Sequence, residues 1–204
     1  MKPNYRIATK ILVFIIYCLF VFSSCDNNNK SFFPKPRAYC RIDFPEKKYS
    51  LLNDSCPFTF EYPIYADVLP NPEPVSEPCW KNICFPRFSA QIYISYKTIN
   101  HNLRQYIEDA YTLASKHQIK ASGMPETLVK NDSTHVYGLI FKIEGNTASS
   151  LQFYLTDSTR HFVRGALYFY SRPNYDSLAP VIDFLKKDVD RMIATFKWKE
   201  AGRK

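Results

Sequence analysis

Apolar and polar side chains alternate along much of the chain, a pattern that predicts β-strands. At residues 90–97, AQIYISYK, a period of two gives the strand one apolar face, carrying Ile92 and Ile94, and an opposite face carrying Tyr93. Similar runs predict strands at residues 58–62, 80–85, 134–144, 151–156 and 161–171. The segment DSTR at residues 157–160 separates two of these runs, which predicts an antiparallel hairpin.

Two stretches change to the spacing of an amphipathic helix. Between residues 102 and 120, apolar side chains recur at intervals of three and four. A second stripe of this kind runs from Leu178 to Phe196, and Asp176 or Ser177 can cap its start. We therefore expect two helices, one after the strand at residues 90–97 and one near the C-terminus.

The order of these elements favours one class of fold. Runs of strands are separated by single helices, which disfavours a parallel doubly wound sheet. We therefore expect a single α+β domain in which a mainly antiparallel sheet carries the two amphipathic helices packed on it. Ten of the 14 prolines lie at residues 34–86. Extended segments and turns are expected there, with a loop at residues 69–78, LPNPEPVSEP.

The N-terminus follows another pattern. Three basic residues and no acidic residue precede an apolar run at residues 11–22. This run is shorter than the roughly 20 residues that span a membrane, but it fits the apolar core of a secretory signal. It ends in Ser-Ser-Cys, and the small residues before Cys25 resemble the lipobox at which bacterial lipoproteins are cleaved and acylated. Two or more acyl chains anchor a protein stably, because each buried CH₂ contributes about 0.8 kcal/mol.

This pattern divides the chain into segments. We predict a lipoprotein signal peptide at residues 1–24, lipidation of Cys25 with palmitate among the acyl chains, a flexible tether at residues 25–33, a folded domain at residues 34–200 and a tail at residues 201–204. The alternative is an ordinary signal with an incidental cysteine.

Removing 24 residues from 204 leaves 180, enough for one domain with a substantial core. Residues 1–24 carry three positive charges, so their removal lowers the net charge from +8 to +5. The remaining sequence has no basic stripe, and we therefore expect no nucleic-acid partner.

Four cysteines remain after Cys25, in a compartment where disulfides persist. Cys40, Cys56, Cys79 and Cys84 allow three sets of pairs. Cys56 and Cys79 each stand beside a Pro-rich connection at the entry to a predicted strand, and a bridge between them would close a loop of about 24 residues and contribute about 3 kcal/mol. Cys40 and Cys84 either pair with each other or remain as small buried side chains. The spacing in CWKNIC does not fit a metal site.

The sequence carries no motif of enzyme chemistry. It has no phosphate-binding glycine loop, no nucleophile elbow and no HExxH zinc motif. Asp157, Ser158 and His161 are close in sequence, but three residues in one tight turn do not assemble a catalytic triad, and we interpret them as turn formers. We therefore expect no enzymatic activity, no cofactor, no metal and no known small-molecule substrate.

Aromatic side chains are concentrated in the last two predicted strands. Phe153 and Tyr154 are adjacent, as are the aromatic residues from Tyr168 to Tyr170. Because neighbours in a strand point to opposite faces, both faces of the sheet must carry aromatic surface. Either helices cover both faces, or one face is kept for a partner. Tyrosine with arginine is typical of interfaces.

Four segments of the chain carry a family resemblance. They are FPKPRAYCRIDFPEKKY, CPFTFEYPIYA, PCWKNICFP and GNTASSLQFYLTDSTRHFVRGALYFYSRPNYDSL. They resemble the gliding motility lipoprotein GldD family of Bacteroidetes over residues 34–198. The resemblance implies a lipoprotein of the cell envelope that is needed for gliding and associated with the type IX secretion machinery. It also implies that the chain has no enzymatic activity and no known cofactor.

The resemblance extends to individual cysteines. Cys25 matches the lipid-bearing cysteine of the family, and Cys56 and Cys79 match the cysteines of its CP and CW motifs. It does not extend to Cys40 and Cys84, so a second pair between them has no support from the family.

Exported proteins of Bacteroidetes are often O-glycosylated at Asp followed by Ser or Thr and then an aliphatic residue or Thr. Asp-Ser-Thr occurs at residues 132–134 and 157–159. Asp-Ser-Leu occurs at residues 176–178, where Ser177 is already a predicted cap of the second helix. The resemblance therefore makes Ser133 and Ser158 candidates for O-glycosylation.

Two functional hypotheses follow. The first is a lipid-anchored protein of a motility or secretion assembly, with its domain in the periplasm and other gliding motility or type IX secretion envelope proteins as partners. Its partner surface would lie around the hairpin at residues 150–175 and include Tyr154, Arg164, Tyr168, Tyr170 and Arg172. The second is a periplasmic binding module for a small ligand or glycan on an aromatic sheet face. A deep aromatic pocket would favour the second hypothesis, and a flat or covered sheet would favour the first.

Overall fold

The structure is a computed structural model that describes residues 41–171 and 174–199. The predicted signal peptide, tether and tail, together with Cys25, Cys40 and Arg172, lie outside these residues. In chain order the strands and helices are β1 (Tyr49–Leu51), β2 (Phe58–Thr59), β3 (Glu61–Pro63), β4 (Asp67–Pro70), β5 (Lys81–Phe85), β6 (Ala90–Thr98), α1 (Leu103–Ser115), β7 (Ala121–Gly123), β8 (Glu126–Asn131), β9 (Val136–Lys142), β10 (Glu144–Gly145), β11 (Ser149–Thr156), β12 (His161–Phe169), α2 (Tyr175–Ala194) and β13 (Lys197–Trp198).

A seven-stranded sheet organises the fold, with its strands in the order β4-β5-β6-β12-β11-β9-β8. All of its pairings are antiparallel. Its central strand is β12, which pairs with β6 from Ala90 opposite Phe169 to Thr98 opposite His161. β11 and β12 form the hairpin that the sequence predicts, joined at residues 157–160.

The two helices cover opposite faces of the sheet, and each face has its own core. α2 packs Leu185 and Val189 on the face that carries Phe153. On the opposite face, α1 places Ala110 with Tyr154 in a separate core. Adjacent aromatic residues of β11 therefore serve different cores, as the alternation along a strand requires. This arrangement confirms the predicted α+β fold with two helices on a mainly antiparallel sheet.

Short strands from the Pro-rich region complete the core on the α2 side. Phe58 and Phe60 are almost fully buried, and their rings lie 5.7 and 6.0 Å from that of Phe196. β1 pairs with β3, and β2 pairs with β13, which places Phe58 opposite Trp198. β13, near the C-terminal end of the described residues, is thereby held by β2, which lies nearer their N-terminal end.

Some elements differ from the sequence-based expectation. α1 ends at Ser115, and the residues expected to continue it form a turn and a 3₁₀ helix at Gln118–Lys120. β4 occupies part of the segment expected to be a loop, because an edge strand tolerates Pro70. β8 was not expected, since it is an edge strand with most side chains exposed and therefore lacks a clear apolar alternation. Within the described ranges, none of the helices combines the length and apolar character needed to cross a membrane.

Candidate functional site

A disulfide joins Cys56 to Cys79, with their Cα atoms 5.6 Å apart. It fixes the residues before β2 to those before β5, and Asp54 accepts the N–H of Cys56 through Oδ1 at 2.9 Å. Cys84 is a half-buried free thiol whose Sγ donates to Gln91 Oε1 at 3.5 Å. The suggested pairing of Cys84 with Cys40 is therefore not formed, and Cys40 itself lies outside the described residues.

One residue of the predicted partner surface is not on the surface. Tyr154 is only 7% exposed, because α1 lies over this part of the sheet. Its ring stacks on that of Phe162 at 5.5 Å and lies 6.3 Å from that of Phe141. Tyr154 was thus wrongly assigned to the partner surface and instead belongs to the core beneath α1.

The other described residues of that surface share the sheet face of α1. Arg164 and Tyr168 are half-buried, whereas Tyr170 is 64% exposed. Tyr168 meets the ring of Tyr93, from β6, edge to face at 5.6 Å. We call Tyr93, Tyr168 and Tyr170 the tyrosine cluster. Since Tyr154 is buried and Arg172 is not described, Arg164, Tyr168 and Tyr170 remain of the predicted surface, and Tyr93 is added to them by its contact with Tyr168.

Hydrogen bonds fix the outer part of the tyrosine cluster. The hydroxyl of Tyr170 donates to Gln91 Oε1 at 2.7 Å and lies 3.0 Å from the hydroxyl of Tyr93. Because the only hydroxyl hydrogen of Tyr170 is donated to Gln91, Tyr93 is the donor in the hydrogen bond between the two tyrosines. That bond, followed by burial, raises the pKa of Tyr93 to about 12, so this tyrosine stays protonated at neutral pH.

A cleft opens beside the cluster, between α1, the strands β6 and β12, and the segment between β4 and β5 that carries Trp80. Its volume is about 440 Å³, and we call it the α1 cleft. Its main lining residues are Trp80, Tyr93, Lys97, Tyr106, Phe162 and Arg164. Aromatic walls with a few charged groups are typical of small-molecule sites.

Contacts of the lining residues with each other and with neighbouring groups hold the walls of the α1 cleft. Trp80 donates its Nε1–H to the carbonyl oxygen of Tyr96 at 2.9 Å. Lys97 lies 5.1 Å from the centre of the Trp80 ring and forms an ion pair with Glu77. On the other wall, the ring of Tyr106 lies 5.4 Å from that of Phe162. The aromatic surfaces are therefore positioned without a ligand.

Arg164 is the unbalanced charge of the cleft. Its Nη2 donates to Gln152 Oε1 at 2.5 Å, but among the described residues no carboxylate lies within ion-pair distance of it. Burial lowers the pKa of Arg164, although a guanidinium remains charged at neutral pH. A desolvated cation that donates to a neutral amide and has no carboxylate partner can bind an anionic group from outside.

The DSTRH segment is organised as a turn. Asp157 Oδ1 accepts the backbone N–H groups of Thr159, Arg160 and His161 at 2.8–2.9 Å. The His161 ring instead places Nδ1 2.8 Å from the hydroxyl of Tyr96. Asp157 is thus a turn former, as the sequence indicates. Across residues 41–171 and 174–199, no group of three or more His, Cys, Asp and Glu side chains can hold a metal ion.

The two candidate glycosylation sites lie in exposed turns at one end of the sheet. Ser133 lies between β8 and β9 and donates to Asn131 Oδ1 at 2.7 Å, and Ser158 lies between β11 and β12. Both hydroxyls can be reached from solvent, while glycosylation itself stays a prediction.

Trp80 and Tyr106 are not among the residues that the sequence pattern assigns to the candidate site. The sequence does indicate the position of Tyr93, because alternation along β6 places it on the sheet face opposite to that of the core residues Ile92 and Ile94. Tyr106 lies in the apolar pattern of α1 and therefore looked like a core residue. The approach of Trp80 to this face depends on the path of the Pro-rich segment, for which the sequence offers no periodic signal.

A protein-family model described as "Gliding motility lipoprotein GldD" matches residues 29–198. No curated protein matches the chain. Among solved structures, the chain is similar to the solution structure of cyanobacterial PsbP (CyanoP) from Synechocystis sp. PCC 6803, with 11% sequence identity and a TM-score of 0.47, over 78% of this chain and 97% of that chain. The family match includes every described strand and helix.

Proposed function

Because the chain belongs to the GldD family of gliding motility lipoproteins, we propose that it is a non-enzymatic, lipid-anchored protein of the cell envelope that acts through protein–protein contacts. The family match over residues 29–198 carries this proposal. Its setting would be gliding motility, type IX secretion or both, with the folded domain in the periplasm. Other envelope proteins of these systems would be its partners.

The anchor in this proposal is Cys25. Cleavage after residue 24 would leave this cysteine at the new N-terminus, and acyl chains on it would hold the domain at the membrane. The tether at residues 25–33 would separate the domain from the lipid surface. The order of basic start, short apolar core, serines and cysteine supports this assignment.

Substitution of the anchor tests the proposal. We expect Cys25→Ala to move the protein from the membrane fraction to the soluble fraction and to abolish gliding or secretion in the native cells. Cys18→Ala is the matched control, since Cys18 lies in the segment to be removed. Membrane fractionation and mass spectrometry of the N-terminus follow both variants. A Cys25→Ala protein that is soluble and fully functional contradicts the need for an anchor.

The contact surface in this proposal is the tyrosine cluster. Tyr170 is its most exposed residue, and exposed tyrosine is common at the centres of interfaces. We expect Tyr170→Ala to reduce the recovery of envelope partners about tenfold in cross-linking and pull-down from native cells. Leu128→Ala, on the edge strand β8 and 71% exposed, controls for loss of apolar surface elsewhere. Equal losses in both variants would argue against a specific role of the cluster.

We also propose that Ser133 and Ser158 carry O-linked glycans. Their exposure in turns supports this proposal. The intact mass of the native protein should exceed that of the lipidated chain by sugar units that disappear in Ser133→Ala and Ser158→Ala. A native mass without any added hexose would exclude glycosylation at both serines.

A second candidate function is a periplasmic binding module for a small ligand or glycan on the aromatic sheet face. The α1 cleft supports it, because its volume of about 440 Å³ lies in the range of small-molecule sites and aromatic rings form its walls. This function is compatible with the first, since a lipoprotein can bind both a ligand and a partner protein.

A further inference from the structure

We infer that the α1 cleft binds a small ligand with a single carboxylate on a ring, and that Arg164 pairs with this carboxylate. The inference rests on the second candidate function and adds the chemistry of the ligand. It depends on three observations: an arginine without an acidic partner, aromatic walls of suitable size, and the arrangement of the other charges around the cleft.

Arg164 supplies the charge that the ligand would complement. It lies in the middle of β12, opposite Ser95 of β6 and Tyr154 of β11. Removing a guanidinium from water is unfavourable unless a partner compensates, and Gln152 provides only a neutral oxygen. A guanidinium has five N–H donors in a planar fork that fits both oxygens of a carboxylate. Arg164 therefore has donors and charge left for an anion.

The aromatic walls favour a ligand with a flat or ring-shaped body. Trp80 and Tyr93 form one part of the lining and Tyr106 another. The hydrogen bonds of Trp80 and Tyr93 restrain these rings before any ligand arrives. Restrained walls reduce the ordering entropy that binding must overcome. The volume of about 440 Å³ lies within the range of small-molecule sites.

The remaining charges limit the ligand to one negative group. Lys97 is already paired with Glu77, so it is not free to neutralise a second anion. Asp109, on the exposed rim contributed by α1, would repel a negative group placed there. The carboxylate would therefore lie at Arg164, with the uncharged part of the ring toward Trp80.

The experiment uses the purified full chain in detergent and four probes. Phenylacetate and glucuronate each carry one carboxylate on a ring, aromatic in the first and a sugar in the second, while phenylacetamide and glucose are their neutral counterparts. We expect at least one acid to bind about tenfold more tightly than its neutral counterpart, measured as Kd by NMR titration. The acid that binds identifies the ring as aromatic or as a sugar.

Variants locate the site. Arg164→Gln should weaken binding of the acid about tenfold and remove its advantage over the neutral probe. Arg160→Gln is the matched control, since Arg160 lies in the exposed turn after β11, outside the cleft. Ser95→Leu fills the cleft without changing its charge and should also abolish binding, which keeps the test decisive if Arg164→Gln does not fold. Thermal melting reports folding of each variant.

Three results would overturn the inference. Equal binding of acid and neutral probe, lost in Ser95→Leu, would leave a binding module that does not recognise carboxylates. Failure of all four probes to bind would remove the binding module as well. Acid binding that survives both Arg164→Gln and Ser95→Leu would place the site elsewhere on the protein. None of these results bears on the lipid anchor, which the Cys25→Ala experiment tests separately.

Discussion

At the scale of single residues, Asp188 holds the N-terminal strands to α2. It is 2% exposed and accepts hydrogen bonds from Tyr49 at 3.0 Å and from Tyr65, while Lys47 Nζ lies 2.7 Å from its Oδ2. Lys47 also lies 3.3 Å from the centre of the Phe184 ring. Burial, followed by the hydrogen bond to Asp188, raises the pKa of Tyr49 to about 12. Both tyrosines therefore act as donors at neutral pH, and the carboxylate is fully engaged.

Loss of this carboxylate should destabilise the fold. Asp188→Asn leaves Lys47 without its anion and removes an acceptor from the tyrosines. We expect a decrease in unfolding free energy of about 2–3 kcal/mol, less than for a fully buried pair because Lys47 is partly exposed. Urea unfolding measures it. Asp190→Asn, whose carboxylate is 44% exposed and paired with Lys186, should change stability by less than about 1 kcal/mol. Equal effects of the two substitutions would show that burial of Asp188 is unimportant.

At the scale of elements, the hairpin of β11 and β12 depends on one small residue. Gly165 lies opposite Phe153, and a Cβ atom added to it would come within 2.1 Å of the Phe153 ring. Phe153 is 2% exposed and belongs to the core beneath α2, so the ring has little room to move. The absence of a side chain at residue 165 therefore lets the phenyl ring cover the backbone of the neighbouring strand.

Adding a methyl group there should overpack the core. We expect Gly165→Ala to lower the unfolding free energy by about 1–3 kcal/mol. Phe153→Leu should recover part of this loss when the two changes are combined, because the residues are in contact and their effects are not additive. Gly123→Ala is a suitable control, since its new Cβ would meet Glu144 at an ordinary 3.4 Å. Additive effects of Gly165→Ala and Phe153→Leu would contradict the proposed contact.

The elements differ in how well the sequence predicts them. β6, β11 and β12 were predictable because they are half-buried or buried on both faces, and their apolar residues follow the period of a strand. β8 is an exposed edge whose place is set by pairing with β9, which is not encoded in its own side chains. The predicted surface shows the same limit. Alternation places Arg164 and Tyr154 on one face, but only the packing of α1 decides that Tyr154 is buried.

At the scale of the whole molecule, contacts between distant parts of the chain close the fold. β2 pairs with β13, and the N–H of Lys199 donates to the carbonyl of Pro57 at 2.8 Å. The disulfide from Cys56 acts at the same place and connects it to the start of β5. The Pro-rich segment between the two cysteines contains β2, β3 and β4, which pair with β13, β1 and β5, all outside the segment. The disulfide therefore closes a segment whose strands pair with other parts of the chain.

Reduction of this disulfide should lower stability more than any change at the free thiol. The bridge closes a sequence separation of 23 residues, and the chain-entropy relation gives about 3 kcal/mol for such a loop. We expect urea unfolding of the double variant Cys56→Ser and Cys79→Ser to show an unfolding free energy lower by about this amount. Dithiothreitol should lower the unfolding free energy of the wild-type protein to the same value and leave that of the variant unchanged. Cys84→Ser should stay within about 1 kcal/mol of the wild type, because its thiol makes only a long hydrogen bond to Gln91. If dithiothreitol leaves the wild-type unfolding curve unchanged, the N-terminal strands are held by packing and the Asp188 contacts alone.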